Sequence, residues 1–260
     1  MHFNKASFIY FSATGTTRRI VRAVKNTLPV GKTDYNLLRK PVEQEVQVES
    51  DNLMVVAMPV YNGRIPALAA ESLRRMRGQG TPAIAIVVYG NREYDDALLE
   101  VKTMLEEQGF FVLGAAAFIA RHSIFPEVAN ERPDADDLAQ VSAFTQACVK
   151  KLADLQSVEG YKAPDVRGNI PFIPLKTVPM KPSSGDDCDF CGICEKICPV
   201  QAIAIDGDEI TTDPDRCISC GACISVCPIE TRHYRGADYE KFRGKFIARF
   251  GTRRENETYL

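Results

Sequence analysis

Short apolar runs alternate with amphipathic stretches along the first 157 residues of the chain. Five runs are short and mostly apolar, which is typical of buried strands in a parallel sheet. The predicted strands are SFIYFS (7–12), DYNLLR (34–39), NLMVVAM (52–58), AIAIVVY (83–89) and FVLGAAAF (111–118). Helical spacing predicts helices over TTRRIVRAVKNTL (16–28), PALAAESLRRMR (66–77), YDDALLEVKTMLEEQG (94–109) and PDADDLAQVSAFTQACVKKLADLQ (133–156).

These strands and helices alternate in chain order, which indicates an α/β fold with a doubly wound parallel sheet. In such sheets ligands bind beyond the carboxyl ends of the strands. We therefore expect the functional loops of this first domain, residues 1–157, to follow its first, third and fourth strands.

The rest of the chain lacks this alternation and divides into three segments. Residues 158–182 are rich in proline and follow no sustained period, which predicts an extended linker wrapped over a neighbouring part. Residues 183–230 hold eight of the nine cysteines and are expected to form a small α+β domain with a hairpin around Asp206 and Gly207. Residues 231–260 are polar and basic, which predicts either a solvated tail or a segment that docks on the acidic cysteine-rich domain or on a partner protein.

Composition narrows the possible functions. The chain has 260 residues, of which 45% are hydrophobic and 25% charged, with a formal net charge of -2, and nothing in these values indicates nucleic-acid binding. No window approaches the roughly twenty apolar residues of a membrane span, and no signal peptide is visible, so we expect a cytoplasmic protein. Tight C-x-x-C spacing there favours metal ligation over disulfides. Cys148 stands apart at helical spacing and is expected to be a buried core thiol.

Two groups of four cysteines repeat with a constant offset. CDFCGICEKICP (188–199) and CISCGACISVCP (217–228) share the spacing C-x2-C-x2-C-x3-C-P. A [4Fe-4S] cube needs four thiolates, and in this spacing three come from one group and the fourth from the other. The predicted ligands are therefore Cys188, Cys191, Cys194 and Cys227 for the first cluster and Cys217, Cys220, Cys223 and Cys198 for the second.

Structural zinc is the competing interpretation, because C-x-x-C pairs also bind zinc tetrahedrally. Zinc would use two pairs of cysteines and leave others over, whereas the cube pattern uses all eight, so we favour iron and sulfur. Over these residues the chain resembles the bacterial two-cluster ferredoxins. The resemblance implies one-electron transfer at low potential, with redox proteins of the ferredoxin or oxidoreductase type as partners.

A hydroxyl-rich turn, YFSATGTT (10–17), follows the first predicted strand. Backbone amides and hydroxyls at a helix N-terminus form an anion site, helped by the helix dipole. The turn has neither the lysine of a P-loop nor the G-x-G-x-x-G of a dinucleotide fold, so a mononucleotide phosphate suits it better. The alternative is helix capping by serine and threonine alone. Two further loops, PVYNGRIP (59–66) and YGNREYDD (89–96), are expected at the same edge of the sheet.

Over roughly residues 5–155 the chain resembles the flavodoxins. The resemblance implies a strand order of 2-1-3-4-5 and an FMN whose phosphate lies in the first loop and whose isoalloxazine ring lies between the other two. By matching position, the phosphate residues are Ser12, Thr14, Gly15, Thr16 and Thr17. The ring residues are Pro59, Tyr61, Asn62 and Gly63 on one side and Gly90, Asn91, Arg92 and Tyr94 on the other. The alternative for Tyr61 and Tyr94 is that they only pack in the core. His122, in the loop after the fifth strand, is expected to be exposed.

As a whole, the chain resembles the flavodoxin-ferredoxin fusion proteins, which join an FMN domain to a domain with two [4Fe-4S] clusters. Flavins accept one or two electrons and a cube moves one, so the resemblance implies intracellular electron transfer that converts between one-electron and two-electron carriers. Two alternatives stay open: a flavin-dependent reductase of a small acceptor such as a quinone, and a cluster-based redox sensor without flavin. Whether the protein is an enzyme, such as a ferredoxin-linked flavin oxidoreductase, is equally open.

Overall fold

The computed structural model describes all residues from 1 to 260. The strands in chain order are β1 (Lys5–Tyr10), β2 (Gly31–Asn36), β3 (Val46–Val48), β4 (Asn52–Pro59), β5 (Met76–Gly78), β6 (Thr81–Tyr89), β7 (Phe110–Ile119), β8 (Pro182–Ser183), β9 (Ile203–Asp206), β10 (Glu209–Thr212), β11 (His233–Tyr234) and β12 (Glu257–Tyr259). The helices are α1 (Thr16–Thr27), α2 (Ala67–Leu73), α3 (Ala97–Glu107), α4 (Ala135–Asp154), α5 (Ile193–Ile197), α6 (Ala222–Ser225) and α7 (Ala237–Phe250).

Six strands form the central sheet in the order β12-β7-β6-β4-β1-β2. The five strands from β7 to β2 are mutually parallel, and β12 pairs antiparallel with β7. The parallel strands therefore have the expected order 2-1-3-4-5, and the doubly wound α/β fold is confirmed. β4 and β6 are buried along their whole length, which explains why their sequences are continuous apolar runs without alternation.

Helices cover both faces of the sheet. α1 and α4 pack on one face, and α2 and α3 pack on the other. Cys148 lies on the inner side of α4 and is fully buried, as expected of a core thiol. Burial raises the pKa of this thiol to about 12, so it stays protonated and unreactive at neutral pH.

One predicted helix is shorter than its pattern indicated. α2 ends at Leu73, and the following Met76–Gly78 forms β5, which pairs in parallel with β3. Met76 is fully buried in the core beneath α2 and α3. The prediction of a helix to residue 77 was wrong because burial of this side chain overrides a weak local preference.

The cysteine-rich segment forms a small α+β unit. β9 and β10 pair antiparallel as the hairpin expected around Asp206 and Gly207. α5 and α6 each follow a glycine in the left-handed conformation, Gly192 and Gly221, where a side chain would be strained. β8 and β11 pair antiparallel, so the segments that enter and leave the unit are tied together.

Residues 231–235 of the C-terminal segment pack on the cysteine-rich unit, and residues 236–260 pack on the first domain, so the segment is not a solvated tail and docking on the cysteine-rich domain describes only its first residues. α7 contributes aromatic side chains to a cluster with the loop after β7, and β12 extends the central sheet. Its basic residues pair with acids of the first domain: Arg243 with Glu127 and Arg253 with Asp134. The charge pattern predicted docking on the acidic cysteine-rich domain or on a partner protein, whereas these arginines pair with acids of the first domain.

The linker 158–182 is extended and lies over the first domain, as expected. Asp96, which is fully buried, accepts hydrogen bonds from the backbone amides of Asn169 (2.8 Å) and Ile173 (2.6 Å). These bonds hold the linker beside the loop after β6. None of the helices combines the length and the apolar content needed to cross a lipid bilayer.

Candidate functional site

Three adjoining cavities run along the carboxyl edge of the central sheet. The first, of about 410 Å³, lies at the N-terminus of α1. The second, of about 160 Å³, shares Thr14 and Arg121 with the first. The third, of about 180 Å³, shares His122, Ser123 and Ile124 with the second and reaches the loops after β4 and β6. Together they form an elongated cleft from the hydroxyl-rich turn to the two predicted ring loops.

The first cavity is lined by Thr14, Gly15 and Thr16 of the hydroxyl-rich turn. Gly15 precedes α1 in the left-handed conformation, and its position offers no side-chain cap to the helix. The first amides of α1 are therefore available to an anion. Ser12 and Thr17, also predicted here, are buried behind the turn, and the Ser12 hydroxyl accepts a hydrogen bond from the Arg18 amide (3.0 Å).

Five arginines and Asn130 line the rest of this cavity, and none of them was predicted from the sequence. The arginines are Arg18, Arg19, Arg22, Arg121 and Arg132. Arg132 is paired with buried Asp137, whereas Arg18, Arg22 and Arg121 have no acidic partner within ion-pair distance. The uncompensated charge favours an anionic ligand at the end of the cleft. The arginines in the first two turns of α1 were the feature of the sequence from which this positive charge could have been predicted.

The third cavity brings together five of the eight predicted ring residues, namely Tyr61, Asn62, Gly63, Gly90 and Arg92. Glycine at position 90 is a steric requirement, since an added Cβ would lie 2.5 Å from the His122 ring. The Asn62 amide is turned toward the linker and donates to the Lys176 carbonyl (2.7 Å).

The other three predicted ring residues do not line the cavity. Pro59 is the buried last residue of β4. The side-chain amide of Asn91 donates to the carbonyls of Phe250 (2.7 Å) and Thr252 (2.8 Å). Tyr94 is fully buried, and its hydroxyl donates to Glu257 (2.6 Å). Asn91 and Tyr94 therefore anchor the C-terminal segment, which is a correction to their predicted role.

His122 is half-buried, contrary to the expectation of an exposed loop residue. Its Nδ1 accepts hydrogen bonds from the backbone amides of Ile124 and Phe125, both at 3.1 Å. Its ring lies 4.6 Å from the ring of Phe246 on α7. Burial, with a smaller contribution from the positive charge of Arg92, lowers the pKa of His122 to about 4. At neutral pH the His122 ring is therefore uncharged, and it forms part of the wall of the cleft.

We expect acid to destabilise the fold through His122. Its folded pKa of about 4 lies below the ordinary value of 6.5, so the unfolded chain binds more protons between these values. The free energy of unfolding should fall as pH drops from 6.5 to about 4 and be insensitive to this group above 6.5. Urea titrations of wild type and His122→Asn, whose amide oxygen can replace the Nδ1 acceptor, measure the effect.

The matched control is His2→Asn, because His2 is exposed. His122→Asn should have a shallower pH slope than wild type, and His2→Asn should keep the wild-type slope. Equal slopes for wild type and His122→Asn would contradict a buried neutral imidazole.

The structure brings both predicted cysteine sets together. Cys188, Cys191, Cys194 and Cys227 line one small cavity of the cysteine-rich unit. In the second set, burial raises the pKa of Cys220 to about 12, with smaller contributions from the neighbouring thiols of Cys223, Cys198 and Cys217. In each group three cysteines of one repeat lie near the fourth of the other, and the division of the eight ligands between two clusters stays a prediction.

A buried cation beside these thiols fits an anionic group. Arg232 is 1% exposed, its Nε has no hydrogen-bond partner, and no carboxylate pairs with it. Arginine is rarely buried without a counter-charge. A cube held by four thiolates carries negative charge, so the donor set and its surroundings suit such clusters.

The second cysteine set adjoins the cleft. The Ser225 hydroxyl donates to the Ala13 carbonyl (2.9 Å), which joins α6 to the turn before α1. Ile218 and Ser219, between the predicted ligands Cys217 and Cys220, line the third cavity together with Tyr61. Burial raises the pKa of the Tyr61 hydroxyl, and Cys220 adds to the shift, so these two side chains are neighbours. In the first set, Cys191 is exposed.

Two distant segments complete the cleft and were missed from the sequence. The linker contributes Val178 and Met180, and α7 contributes Phe242 and Phe246. The signal for α7 was present, because Tyr239, Phe242, Phe246 and Phe250 recur at helical spacing within a polar segment.

Comparison with known proteins identifies the cysteine-rich unit. Residues 187–231 match the family model described as a 4Fe-4S dicluster domain, which decides between iron-sulfur clusters and zinc. The chain therefore joins a doubly wound α/β domain to a 4Fe-4S dicluster domain. No curated protein sequence matches the chain.

Similar solved structures include three redox proteins. Rubredoxin oxygen:oxidoreductase of Desulfovibrio gigas has 14% identity and a TM-score of 0.45; the match covers 60% of this chain but only 38% of that protein. A flavodoxin from the domain Archaea has 16% identity and a TM-score of 0.39, with 57% and 99% covered. Flavodoxin 1 of Bacillus cereus has 13% identity and a TM-score of 0.44, with 56% and 97% covered.

Proposed function

We propose that the protein transfers electrons between its two [4Fe-4S] clusters and an FMN bound in the cleft. One observation supports this above the others: Ile218 and Ser219, which lie between two cluster ligands, line the same cavity as the ring loops. The organic and inorganic centres would thus be separated by a single layer of side chains. When bound, FMN accepts one or two electrons and each cube one, so the protein would convert between the two kinds of carrier.

The residues of the cleft would divide the binding of FMN between them. Thr14, Gly15 and Thr16 would donate hydrogen bonds to the phosphate, and Arg18 and Arg121 would neutralise it. The ring would lie between the loops after β4 and β6, with Tyr61 on the side of the second cluster. Phe246 and the linker would exclude water from this end. The cavity sizes suit a ligand held along the whole cleft.

The first cluster would exchange electrons with an external protein. Cys191 is exposed there, and so are Ile193 (41%) and Ile229 (42%) on the same unit. Between residues 183 and 230 we count ten Asp and Glu against two Lys and Arg, so a redox partner with a basic surface would be attracted. We place this exchange in the cytoplasm, where cysteine ligands stay reduced.

A carrier is favoured over a reductase of small molecules. The linker and α7 cover the third cavity, so a quinone would have to displace Met180 or Phe246 to reach the ring. Electrons would then enter and leave chiefly through the cysteine-rich unit.

The test uses full-length protein purified without oxygen. We expect eight iron atoms, eight sulfides and one FMN per chain, from two [4Fe-4S] cubes and one flavin. In rapid mixing with a one-electron reductant, the visible spectrum should show cluster bleaching followed by flavin reduction at a rate that is independent of protein concentration.

Each other outcome excludes the proposal. Flavin reduction that depends on protein concentration would mean transfer between molecules. Clusters without flavin, even after addition of FMN, would favour the redox sensor. Steady turnover of a quinone faster than exchange with a protein carrier would favour the reductase.

A further inference from the structure

Arg232 is the largest fully buried side chain of the protein. Its guanidinium makes hydrogen bonds only to neutral acceptors, which are the Ser184 hydroxyl (3.0 Å), the Pro182 carbonyl and the Thr212 hydroxyl. Its Nε has no acceptor, and no carboxylate lies within ion-pair distance. An isolated buried cation is costly, so this arrangement requires negative charge from another source.

The guanidinium faces both cysteine sets. It lines the cavity of the first set together with Cys194. Cys194 packs in one small buried cluster with Cys223, which belongs to the second set. One fixed positive charge is therefore shared between ligands assigned to different clusters.

We propose that Arg232 is the common counter-cation of the two clusters and holds the reduction potentials of both above the values that the acidic unit would otherwise give them. Each reduction takes one electron from an external one-electron donor, with no proton, and adds one negative charge to a buried group. A fixed cation at close range in a low-dielectric interior stabilises that extra charge. The role rests on the two clusters alone and is independent of FMN.

The experiment compares full-length, cluster-loaded variants without oxygen. Arg232→Met keeps the apolar stem and removes the charge, whereas Arg232→Lys keeps the charge. Midpoint potentials are measured by redox titration followed by electron paramagnetic resonance. For Arg232→Met we expect the equilibrium constant for reduction of both clusters to fall at least tenfold, which is about 59 mV for one electron. Arg232→Lys should retain most of the wild-type values.

The matched control is Arg216→Met, which removes an exposed arginine of the same unit one residue before a predicted ligand. Solvent and salt screen an exposed charge, so its smaller effect should vanish in high salt, whereas that of Arg232→Met should persist. Wild-type potentials in Arg232→Met, or a shift in one cluster only, would overturn the proposal.

Loss of cluster is informative as well. If Arg232→Met assembles no clusters and Arg232→Lys assembles both, by iron and sulfide content, the positive charge is required for assembly, and the proposal then stands if the potentials of Arg232→Lys lie near those of wild type and fails if they lie tenfold or more in equilibrium constant below them. If neither variant assembles clusters, the hydrogen bonds to Ser184 and Thr212 are what the protein needs, and the proposal fails.

Discussion

Replacing Cys220 by alanine should stop electron transfer to the flavin. This thiol is a predicted ligand of the second cluster and lies beside Tyr61 at the wall of the cleft. Loss of a residue that only hydrogen-bonds to a metal ligand already lowers metal affinity or activity roughly 10–100-fold. Loss of a ligand itself should therefore slow flavin reduction by more than ~100-fold. Rapid mixing with a one-electron reductant measures this rate, and iron analysis should show about half of the wild-type content.

Cys148→Ala is the matched control for this substitution. Cys148 is likewise a buried cysteine, but it lies in α4 against the central sheet, away from both cysteine sets. It should keep all the iron and the wild-type rate while losing about 1 kcal/mol of stability for the atom removed from the core. Undiminished flavin reduction in Cys220→Ala protein that has lost half its iron would show that electrons take another route.

Ending the chain at Gly251 should strongly destabilise the first domain. The removed residues include β12 and two side chains that make three hydrogen bonds to buried groups of the first domain. The Asn256 side chain accepts from the Ile119 amide (2.8 Å) and donates to Asp137 (2.8 Å), and Glu257 accepts from Tyr94. The Ile119 amide is left without a partner, which costs about 1–3 kcal/mol, and the pairing of β12 with β7 is lost as well, so we expect a loss of at least ~3 kcal/mol in the free energy of unfolding. Urea denaturation followed by circular dichroism measures it.

Single substitutions separate the hydrogen bonds from the loss of a strand. Asn256→Ala should cost about 1–3 kcal/mol, because it leaves the buried Ile119 amide without an acceptor and removes one hydrogen bond from the Asp137 carboxylate, which keeps its pair with Arg132. Glu255→Ala, at an exposed neighbouring position, should change stability by less than ~0.5 kcal/mol. If the shortened chain is as stable as wild type, β12 is a passive addition. The bared edge of β7 would also favour aggregation.

The fold class could be predicted from short sequence patterns, because each strand and each cluster loop places demands on the residues within it. Buried parallel strands need short apolar runs. Five such runs that alternate with helical segments allow few arrangements other than a doubly wound sheet. The cysteine repeats were equally informative, since three ligands of each cluster lie within seven consecutive residues and only the fourth comes from elsewhere. Even so, Ser12 and Thr17 show the limit of the approach, because a motif position does not reveal whether its side chain faces the ligand or the core.

The sequence by itself determined the fold class, the cysteine sets and the three loops of the cleft, since each depends on spacing along a short stretch. Only the tertiary structure decided that Asn91 and Tyr94 hold the C-terminal segment, that Phe246 covers the cleft and that Arg232 lies between the two cysteine sets. These contacts join residues up to about 160 positions apart in the chain. Their partners are chosen by which surfaces remain uncovered once the sheet has formed, and no local pattern contains that information.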